Sequence, residues 1–497
     1  MTRNRTIAAL AAGLGLWVVL AGAVSAQPAA SPVVQTDSGP IRGVETPDGG
    51  AVFRAIPFAK PPLGPLRWRA PEPAEPWSEV RDAISTAPAC LQRDIGWNHV
   101  FAVRQSEDCL YLDVVTPRLD AGARLPVMVW IHGGANLAGG MGDTVTSPMV
   151  RRGVVLVAIQ YRLGALGFVS LPALTAEQGG ASGNYALMDQ IAALTWVKAN
   201  IARFGGDPDK VTIFGESAGA EDVGLLTLAP STEGLFAREI QESGTASFGL
   251  PPRSLKENEA LGEQFARLAG APAGDGALEA LRALPPAQIL AAQAALQAPM
   301  ADFVWLNAVV DGRVLTQAPA EILASSRPLR PLLIGSNARE IDFLRDADVA
   351  KALATTWGED GRAAWKLYAA DPDPRFGDVA LQAASDGMFR CPTDFTAKAF
   401  VKAGMPVWVY LFDLPNHAPV SHSTELPFVF DDLPAGPAGV TLQAYWTNFA
   451  KTGDPNGPGL PQWPGFGEAR AYLGFEPAGP AAGRDLRGAI CERLGRP

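Results

Sequence analysis

The chain has 497 residues, of which 47% are hydrophobic and 19% charged, so it is long enough to bury a large core. Its formal net charge is −10, its pI is about 5.1, and it has no cluster of lysine and arginine. This composition argues against disorder and gives no electrostatic basis for a nucleic-acid or anionic-membrane partner. We expect a single domain over residues 27–497, since α/β folds of this size often carry insertions rather than split.

The N-terminal segment has the features of a secretory signal peptide. Arg3 and Arg5 precede an apolar run over 7–24, and a small-residue cleavage site ends at Ala26. The run just reaches the length of a membrane anchor, but glycines dilute it and no basic stop-transfer cluster follows. We therefore predict cleavage of residues 1–26, a secreted or periplasmic protein, and no stable membrane anchor.

Export makes disulfides possible. The four cysteines are Cys90, Cys109, Cys391 and Cys491, and the sequence does not choose among their three pairings. In the chain-entropy model a Cys90–Cys109 bond would contribute about 3 kcal/mol and a Cys391–Cys491 bond about 4 to 5 kcal/mol. No Cys-x-x-Cys or His-x-x-x-His motif occurs, so we expect no metal site and no cofactor.

Strand and helix patterns alternate along the chain. Residues 53–77, rich in proline and aromatics, should form an extended segment on the core, and 106–114 alternate like a half-buried strand. Apolar runs predict buried strands over 126–131 and 154–159, and apolar spacing predicts an amphipathic helix over 187–201. The alternation predicts a large, mostly parallel sheet flanked by helices.

The most informative motif is Gly-x-Ser-x-Gly at 215–219, between the strand-forming residues 211–214 and an apolar helix pattern. A strand that turns sharply into a helix crowds both flanks of the turn. Gly215 and Gly219 allow that turn, while the hydroxyl of Ser217 projects outward as in a nucleophile elbow. In a chain with 52 glycines the motif alone is only moderately specific.

A loop of small residues, 132–136, follows the strand predicted over 126–131. Such a loop leaves backbone N–H groups bare, and these can stabilise the oxyanion of an acyl-transfer intermediate. A plain turn between strand and helix is the alternative. The position of the loop on the same predicted sheet as the elbow favours the oxyanion interpretation.

Several segments together resemble the type B carboxylesterase family, the cholinesterase-like α/β-hydrolases. They are 53–62, 106–114, the His-Gly-Gly loop at 132–134, 215–219, and 452–456 with 463–464. The resemblance extends from about residue 33 to the C-terminus. It implies an α/β-hydrolase fold with helical cap insertions, and an oxyanion hole formed by the N–H groups of Gly134, Ala135 and Ala218.

Only four histidines could supply a base. In α/β-hydrolases the base follows both the serine and the acid, which removes His99 and His132. The residues around His422 resemble the catalytic-histidine loop of the family, whereas His417 has the setting of a surface turn residue. We therefore predict His422 as the base.

Glu340 is the predicted acid, at the polar end of a short apolar strand that begins at 331. It matches the glutamate that orients the histidine in the family, although Ile341 replaces the glycine that usually follows. Asp342 and Asp222 are alternatives. Asp222 replaces a serine found in many relatives, and a carboxylate there could raise the basicity of the histidine or act as the acid.

Other features allow two interpretations each. Glu216 either supports the elbow or tunes His422 and attracts a cation. Trp97 lies in the loop that, in cholinesterases, contributes an aromatic residue to the choline site. Trp97 is offset from that position, so a role in lining the rim or in packing fits it better. Apolar helical patterns in the insertions at 245–330 and 345–400 predict pocket walls or, equally, core.

These observations predict a serine carboxylic-ester hydrolase that acts on small to medium esters through an acyl-enzyme. Ser217 attacks, His422 moves the proton, and Glu340 orients the ring. A catalytically silent adhesion or binding module and an acyltransferase with an alcohol acceptor are the alternatives. The presence of all three residues favours the enzyme. The methyl of Ala135, where the family has a third glycine, should disfavour esters of tertiary alcohols.

Overall fold

The computed structural model describes residues 31–495 except for a set of short gaps. The gaps are 143, 250–251, 273, 275, 298–306, 326–328, 342–343, 345–347, 371–372 and 417. The predicted signal peptide and the two alternative site residues Asp342 and His417 lie outside the described residues.

The strands of the described chain are short at its start and longer in the centre. They are β1 (Val33–Gln35), β2 (Pro40–Arg42), β3 (Val44–Glu45), β4 (Ala51–Pro57), β5 (Arg81–Asp82), β6 (Ala89–Cys90), β7 (Gln105–Ser106), β8 (Tyr111–Thr116), β9 (Leu125–Ile131), β10 (Val155–Ile159), β11 (Gly206–Glu216), β12 (Arg238–Glu242), β13 (Arg253–Ser254), β14 (Val309–Val310), β15 (Leu332–Asn337), β16 (Val407–Phe412), β17 (Ala471–Glu476) and β18 (Gly479–Arg484).

The helices lie between and around these strands. They are α1 (His99–Ala102), α2 (Gly164–Phe168), α3 (Pro172–Glu177), α4 (Tyr185–Asn200), α5 (Ala218–Leu228), α6 (Leu255–Leu268), α7 (Ala277–Ala283), α8 (Pro286–Gln297), α9 (Pro319–Ala324), α10 (Val349–Ala370, broken at Gly358), α11 (Val379–Ser385), α12 (Cys391–Lys402), α13 (Leu426–Phe430), α14 (Leu442–Thr452) and α15 (Gly488–Leu494). Within the described ranges, none of them is both long and apolar enough to cross a membrane.

The central feature is an eleven-stranded sheet with the order β18-β17-β16-β15-β12-β11-β9-β10-β8-β4-β3. The strands from β17 to β10 in this order pair in parallel. Both edges of the sheet are antiparallel. The prediction of a large, mostly parallel sheet flanked by helices is therefore confirmed.

The central strands are buried on both faces, as their continuous apolar runs predict. Along β9, Val129 and Ile131 belong to one hydrophobic cluster, whereas Met128 and Trp130 belong to another on the opposite face. Helix α4 is likewise buried along most of its length, with few exposed positions. The helix predicted over 187–201 is present, but it packs more deeply than an amphipathic surface helix.

The predicted half-buried strand over 106–114 was wrong in bounds and in burial. The strand is β8, which begins at Tyr111, ends at Thr116 and pairs with β10 and β4, so it lies inside the sheet. Asp113, which the alternation would expose to solvent, is buried and accepts a hydrogen bond from the N–H of Ala55 at 2.7 Å. A partner distant in sequence thus offsets the cost of burying this polar residue.

The order of the strands fixes where a site can form. The chain passes from β9 to β10 on one side of β9 and then returns to place β11 on the other side. In open α/β sheets, ligands bind at the carboxyl ends of the strands where the order reverses in this way. The loop at 132–136 and Ser217 follow β9 and β11, so both lie at this point.

Two disulfides join Cys90 to Cys109 and Cys391 to Cys491. Of the three pairings that the sequence left open, the structure has the one that closes a short loop and a long loop. The short loop includes α1, and the long bond ties α15 to the start of α12.

Candidate active site

Ser217 lies at a strained turn between β11 and α5, with φ 57° and ψ −125°. The flanking glycines allow this turn because the backbone passes very close to them. A Cβ at Gly215 would lie 2.6 Å from the carbonyl of Gly219, and one at Gly219 would lie 2.1 Å from the oxygen of Ile131. No side chain fits at either position, so the elbow geometry depends on both glycines.

His422 and Glu340 form a close pair. Nδ1 of His422 lies 2.6 Å from Oε2 of Glu340, whose side chain is fully buried just beyond the end of β15. The other carboxylate oxygen accepts hydrogen bonds from the hydroxyl of Ser243 at 2.8 Å and from the N–H of Asn337 at 2.7 Å. These contacts fix the carboxylate, which in turn fixes the ring.

The second ring nitrogen of His422 is not used by Glu340. With Nδ1–H donating to Glu340, a neutral ring has Nε2 as its acceptor. Nε2 is buried and makes no hydrogen bond with any described residue, and it lies 3.2 Å from Oε1 of Glu216. Ser217 and His422 line the same cavity. The ring is therefore arranged to accept a proton from that cavity.

The charges around His422 favour its protonated form. Burial by itself lowers the pKa of His422, but the charge of Glu216, the hydrogen bond and charge of Glu340, and the charge of Glu425 raise it to about 9. Burial also raises the pKa of Glu216, whose Oε1 accepts a hydrogen bond from Ser423 at 2.6 Å. The site is thus electrostatically prepared to hold an imidazolium.

The loop after β9 brings bare N–H groups to the same cavity. Gly134, Ala135 and Asn136 have φ values of 110°, 55° and 56°. A Cβ at Gly134 would lie 2.1 Å from the oxygen of Ala138, so only glycine fits there. Within the described residues, the N–H groups of Gly134, Ala135 and Ala218 donate to no acceptor. They are available to a ligand oxygen.

The cavity in front of Ser217 has a volume of about 690 Å³ and a largely apolar lining. The loop closed by the Cys90–Cys109 disulfide forms its rim, where the side chain of Trp97 is 60% exposed. Other apolar lining residues include Phe101, Trp130, Leu137, Ile341 and Phe430. A ligand with apolar groups on either side of a polar centre fits this lining.

A comparison with protein families identifies the relatives of this arrangement. The sequence model of the carboxylesterase family matches residues 30–491, which is nearly the whole chain. This chain belongs to the carboxylesterase family. The resemblance that the motifs carry is confirmed, and the protein is an ester-hydrolysing enzyme.

Curated relatives and solved structures agree with this assignment. The chain is 37% identical to human cocaine esterase over 97% of the chain and 93% of the relative. It is 36% identical to the liver carboxylesterase of Sus scrofa over 90% of each. The crystal structure of a Geobacillus stearothermophilus carboxylesterase matches with a TM-score of 0.77 and 33% identity, over 93% of this chain and 99% of that one. A PNB esterase matches with a TM-score of 0.79 and 31% identity, over the same shares. The α/β-hydrolase fold is thereby confirmed.

The walls of the pocket in this carboxylesterase differ from those predicted. None of the described lining residues lies in 245–330 or 345–400. The apolar residues Phe265, Leu281 and Ile289 of the first insertion are instead fully buried in the main hydrophobic cluster. The alternative interpretation as core is the correct one for these three positions, whereas Leu268 of the same insertion is exposed.

Asp222 does not contact His422. Its carboxylate accepts hydrogen bonds from the side chains of Asn136 and Gln190 and is fully buried. The charges that act on His422 come from other residues. The structure thus pairs Glu340, and not Asp222, with the histidine of this carboxylesterase.

The two remaining described histidines lie apart from this pair. His99 is exposed and bonds to Asp94. His132 stacks on Tyr161 with ring centroids 4.4 Å apart, and burial lowers its pKa to about 4. Neither contacts Glu340. Within the described residues, no group of three or more potential ligands could hold a metal ion.

Most of the residues that support the site could not be predicted from the sequence. Arg390 donates to the carbonyls of Asn337 and Ala338 at the end of β15, and Glu425 accepts from the side chain of Asn337. Ile341, at the position where the family resemblance leads us to expect glycine, lines the cavity. Only the departure at 341 was visible in advance, because the other contacts join segments far apart in the chain.

Proposed function

We propose that this carboxylesterase hydrolyses small to medium carboxylic esters through an acyl-enzyme, with Ser217 as nucleophile, His422 as base and Glu340 as the residue that orients the ring. The observation that supports this most strongly is the 2.6 Å contact between Nδ1 of His422 and Glu340, in a ring that lines the same cavity as Ser217. A free serine hydroxyl is a weak nucleophile near neutral pH, so it requires such a base.

The reaction has two matched halves. His422 takes the proton as the oxygen of Ser217 attacks the ester carbonyl, and then gives it to the leaving alcohol. Water attacks the acyl-enzyme by the same route, and the acid is released. In both halves the N–H groups of Gly134, Ala135 and Ala218 hold the oxyanion, where loss of one donor typically lowers turnover about 100- to 1000-fold.

The cavity supports substrates with apolar acyl or alcohol groups. Its aromatic and aliphatic lining and its volume of about 690 Å³ suit a small to medium ester. The two disulfides support export to an oxidising compartment, which also agrees with a signal peptide that ends at Ala26.

Hydrolysis of p-nitrophenyl esters from acetate to palmitate tests the proposal. The chain from Gln27 onward should hydrolyse the shorter members, and Ser217→Ala should not. A fluorophosphonate probe should label the parent at Ser217 only. An inert parent that also resists the probe would contradict the proposal and favour a binding module. Transfer of the acyl group to added alcohols in place of water would identify an acyltransferase.

A further inference from the structure

The loop that carries two of the proposed oxyanion donors has an unusual backbone. Gly134, Ala135 and Asn136 all have positive φ, and two of them are not glycine. Such conformations are strained for non-glycine residues and persist only where the surroundings hold them. Contacts with the surrounding residues must therefore hold this loop.

The side chain of Asn136 provides the anchor. It is fully buried, and its Nδ2 donates to Oδ1 of Asp222 at 3.2 Å and to Oδ1 of Asn307 at 3.1 Å. The backbone oxygen of Asn136 accepts from the N–H of Gly164 at 2.7 Å. The residue next to Ala135 is thus held by three separate segments.

Asp222 and Asn307 together fix the orientation of the side-chain amide of Asn136. Asn307 points its oxygen at Asn136 because its own Nδ2 donates to Oε1 of Glu221 at 2.7 Å. Asp222 in its carboxylate form has acceptors only, and its Oδ2 receives Nε2 of Gln190 at 2.5 Å. Every group that faces the Asn136 amide nitrogen is therefore an acceptor.

A carboxylate is the group that satisfies position 222. Each oxygen of Asp222 faces a side-chain N–H donor, one from Asn136 and one from Gln190. Serine has one oxygen, and asparagine would place an NH₂ group against one of the two donors. Burial raises the pKa of Asp222 to about 7, so the carboxylate form prevails above neutral pH.

We propose that Asp222 is a positioning residue that acts through Asn136 to hold the 134–136 loop with its N–H groups turned toward the substrate oxyanion. The inference rests on the proposed function. It assigns no proton transfer to Asp222, and it explains why a buried carboxylate lies five residues after the nucleophile without touching His422.

Asp222→Asn tests the inference because it keeps the size of the side chain and removes one acceptor. We expect kcat for a short p-nitrophenyl ester to fall about 10- to 100-fold with KM changed less than about 2-fold, since a shift of about 1 Å in catalytic geometry has this order of effect. The serine oxygen attacks the carbonyl of an aryl trifluoromethyl ketone, and the adduct carries an oxyanion. The affinity of the enzyme for this ketone should therefore fall in parallel with kcat.

Glu239→Gln is the matched control. Glu239 is also fully buried, burial also raises its pKa to about 7, and it accepts hydrogen bonds from Thr227 and Gln241. It contacts none of the three loop residues. This variant should show any general cost of losing a buried carboxylate, and its kcat should stay within about 2-fold of the parent.

A double-mutant cycle tests the route through Asn136. Asn136→Gly keeps the positive φ accessible and removes the link, so it should lower kcat by an amount similar to Asp222→Asn. The double variant should be no slower than either single variant, because both remove the same interaction. Asn136→Gly also carries the test if Asp222→Asn does not fold.

Three results would overturn the inference: parent-like kcat in either variant, a fall in ketone affinity no larger than that of the Glu239→Gln control, or strictly additive effects in the cycle. These outcomes are distinct from failure of the proposed function. In that case the parent itself would not hydrolyse the ester.

Discussion

Among single residues, Glu216 has the most direct influence on the proposed base. Its Oε1 lies 3.2 Å from Nε2 of His422, and its charge is the largest of the influences that raise the pKa of that ring. The neutral ring is the form that can take a proton from Ser217. The same carboxylate that stabilises the imidazolium therefore reduces the fraction of active base below about pH 9.

Glu216→Gln should move the acid limb of the pH profile of kcat/KM to lower pH. Removing a negative charge lowers the pKa of His422, so the neutral ring persists to more acidic pH, by about 1 unit for a charge at this distance. The measurement is kcat/KM for a p-nitrophenyl ester from pH 5 to 10. Glu239→Gln, which leaves the surroundings of His422 intact, should keep the parent profile. An unmoved or upward-shifted limb would contradict this account.

Ala135→Gly should widen the range of alcohols accepted. The methyl of Ala135 stands where the family resemblance leads us to expect glycine, beside the proposed position of the carbonyl. We expect the ratio of kcat/KM for tert-butyl acetate to that for n-butyl acetate to rise at least about 10-fold. One methyl group in a close-fitting pocket typically changes discrimination between substrates by this order. An unchanged ratio would show that the methyl does not limit access.

At the level of elements, strand β15, which precedes Glu340, is supported by two helices, α12 and α15, that the Cys391–Cys491 disulfide joins. Arg390 donates to the carbonyls of Asn337 and Ala338 at the end of β15 and pairs with Asp386. Asp386 also pairs with Arg487, which directly precedes α15, and the Cys391–Cys491 disulfide joins α15 to α12. The C-terminal helix thus supports the segment that holds Glu340.

Replacing both cysteines of the Cys391–Cys491 pair with serine should destabilise the chain more than the same change at Cys90–Cys109. The two bonds close loops with sequence separations of 100 and 19 residues. In the chain-entropy model these are worth about 4.7 and about 3 kcal/mol. Urea unfolding of both variants compares their free energies of unfolding. A larger loss at Cys90–Cys109 would contradict the ordering.

The elements of the site differ in how far the sequence could predict them. The turn at 215–219 and the loop at 132–136 are local, because their glycines are required by backbone contacts within a few residues or with one neighbouring strand. Side-chain partners across the fold were not predictable in this way. Asp222 and Asn136 are 86 residues apart, and only the strand order brings them together. The burial of β8 was mispredicted, and the choice between pocket wall and core was left open for the insertions, because periodicity does not report which neighbour covers a face.

Across the whole molecule, several carboxyl groups are buried on or near the central strands, and one of them, Glu239, lies at the amino end of β12. Burial raises the pKa of each of them: Glu216, Glu221, Asp222, Glu239, Glu242 and Glu425. For Asp222 and Glu239 it reaches about 7, and for Glu425 about 8. An apolar core with this many acids binds protons more tightly than the unfolded chain does.

The folded state should therefore lose stability as pH rises from 6 to 9. A raised folded-state pKa contributes stability that is present below the unfolded value and lost as pH rises through the folded value. The buried acids act in this direction, and so does His422 between its unfolded value of 6.5 and about 9. His132, with its lowered pKa, has the opposite effect only below about 6.5.

Thermal unfolding at pH 6, 7, 8 and 9 measures this loss of stability. We expect a lower midpoint temperature of unfolding at each step to higher pH. Glu239→Gln should make the decline shallower, since it removes one of the acids that titrate in this window. A midpoint that stays constant or rises toward pH 9 would contradict the predicted direction.

In the proposed mechanism Ser217 and His422 act as one unit. A double-mutant comparison of kcat/KM measures whether they do. Ser217→Ala, His422→Ala and the double variant are measured on one p-nitrophenyl ester beside the parent. Residues that act together show non-additive losses. We expect each single variant to lose nearly all activity and the double variant to be no worse than either. Substantial activity in either single variant, or losses that multiply in the double variant, would contradict it.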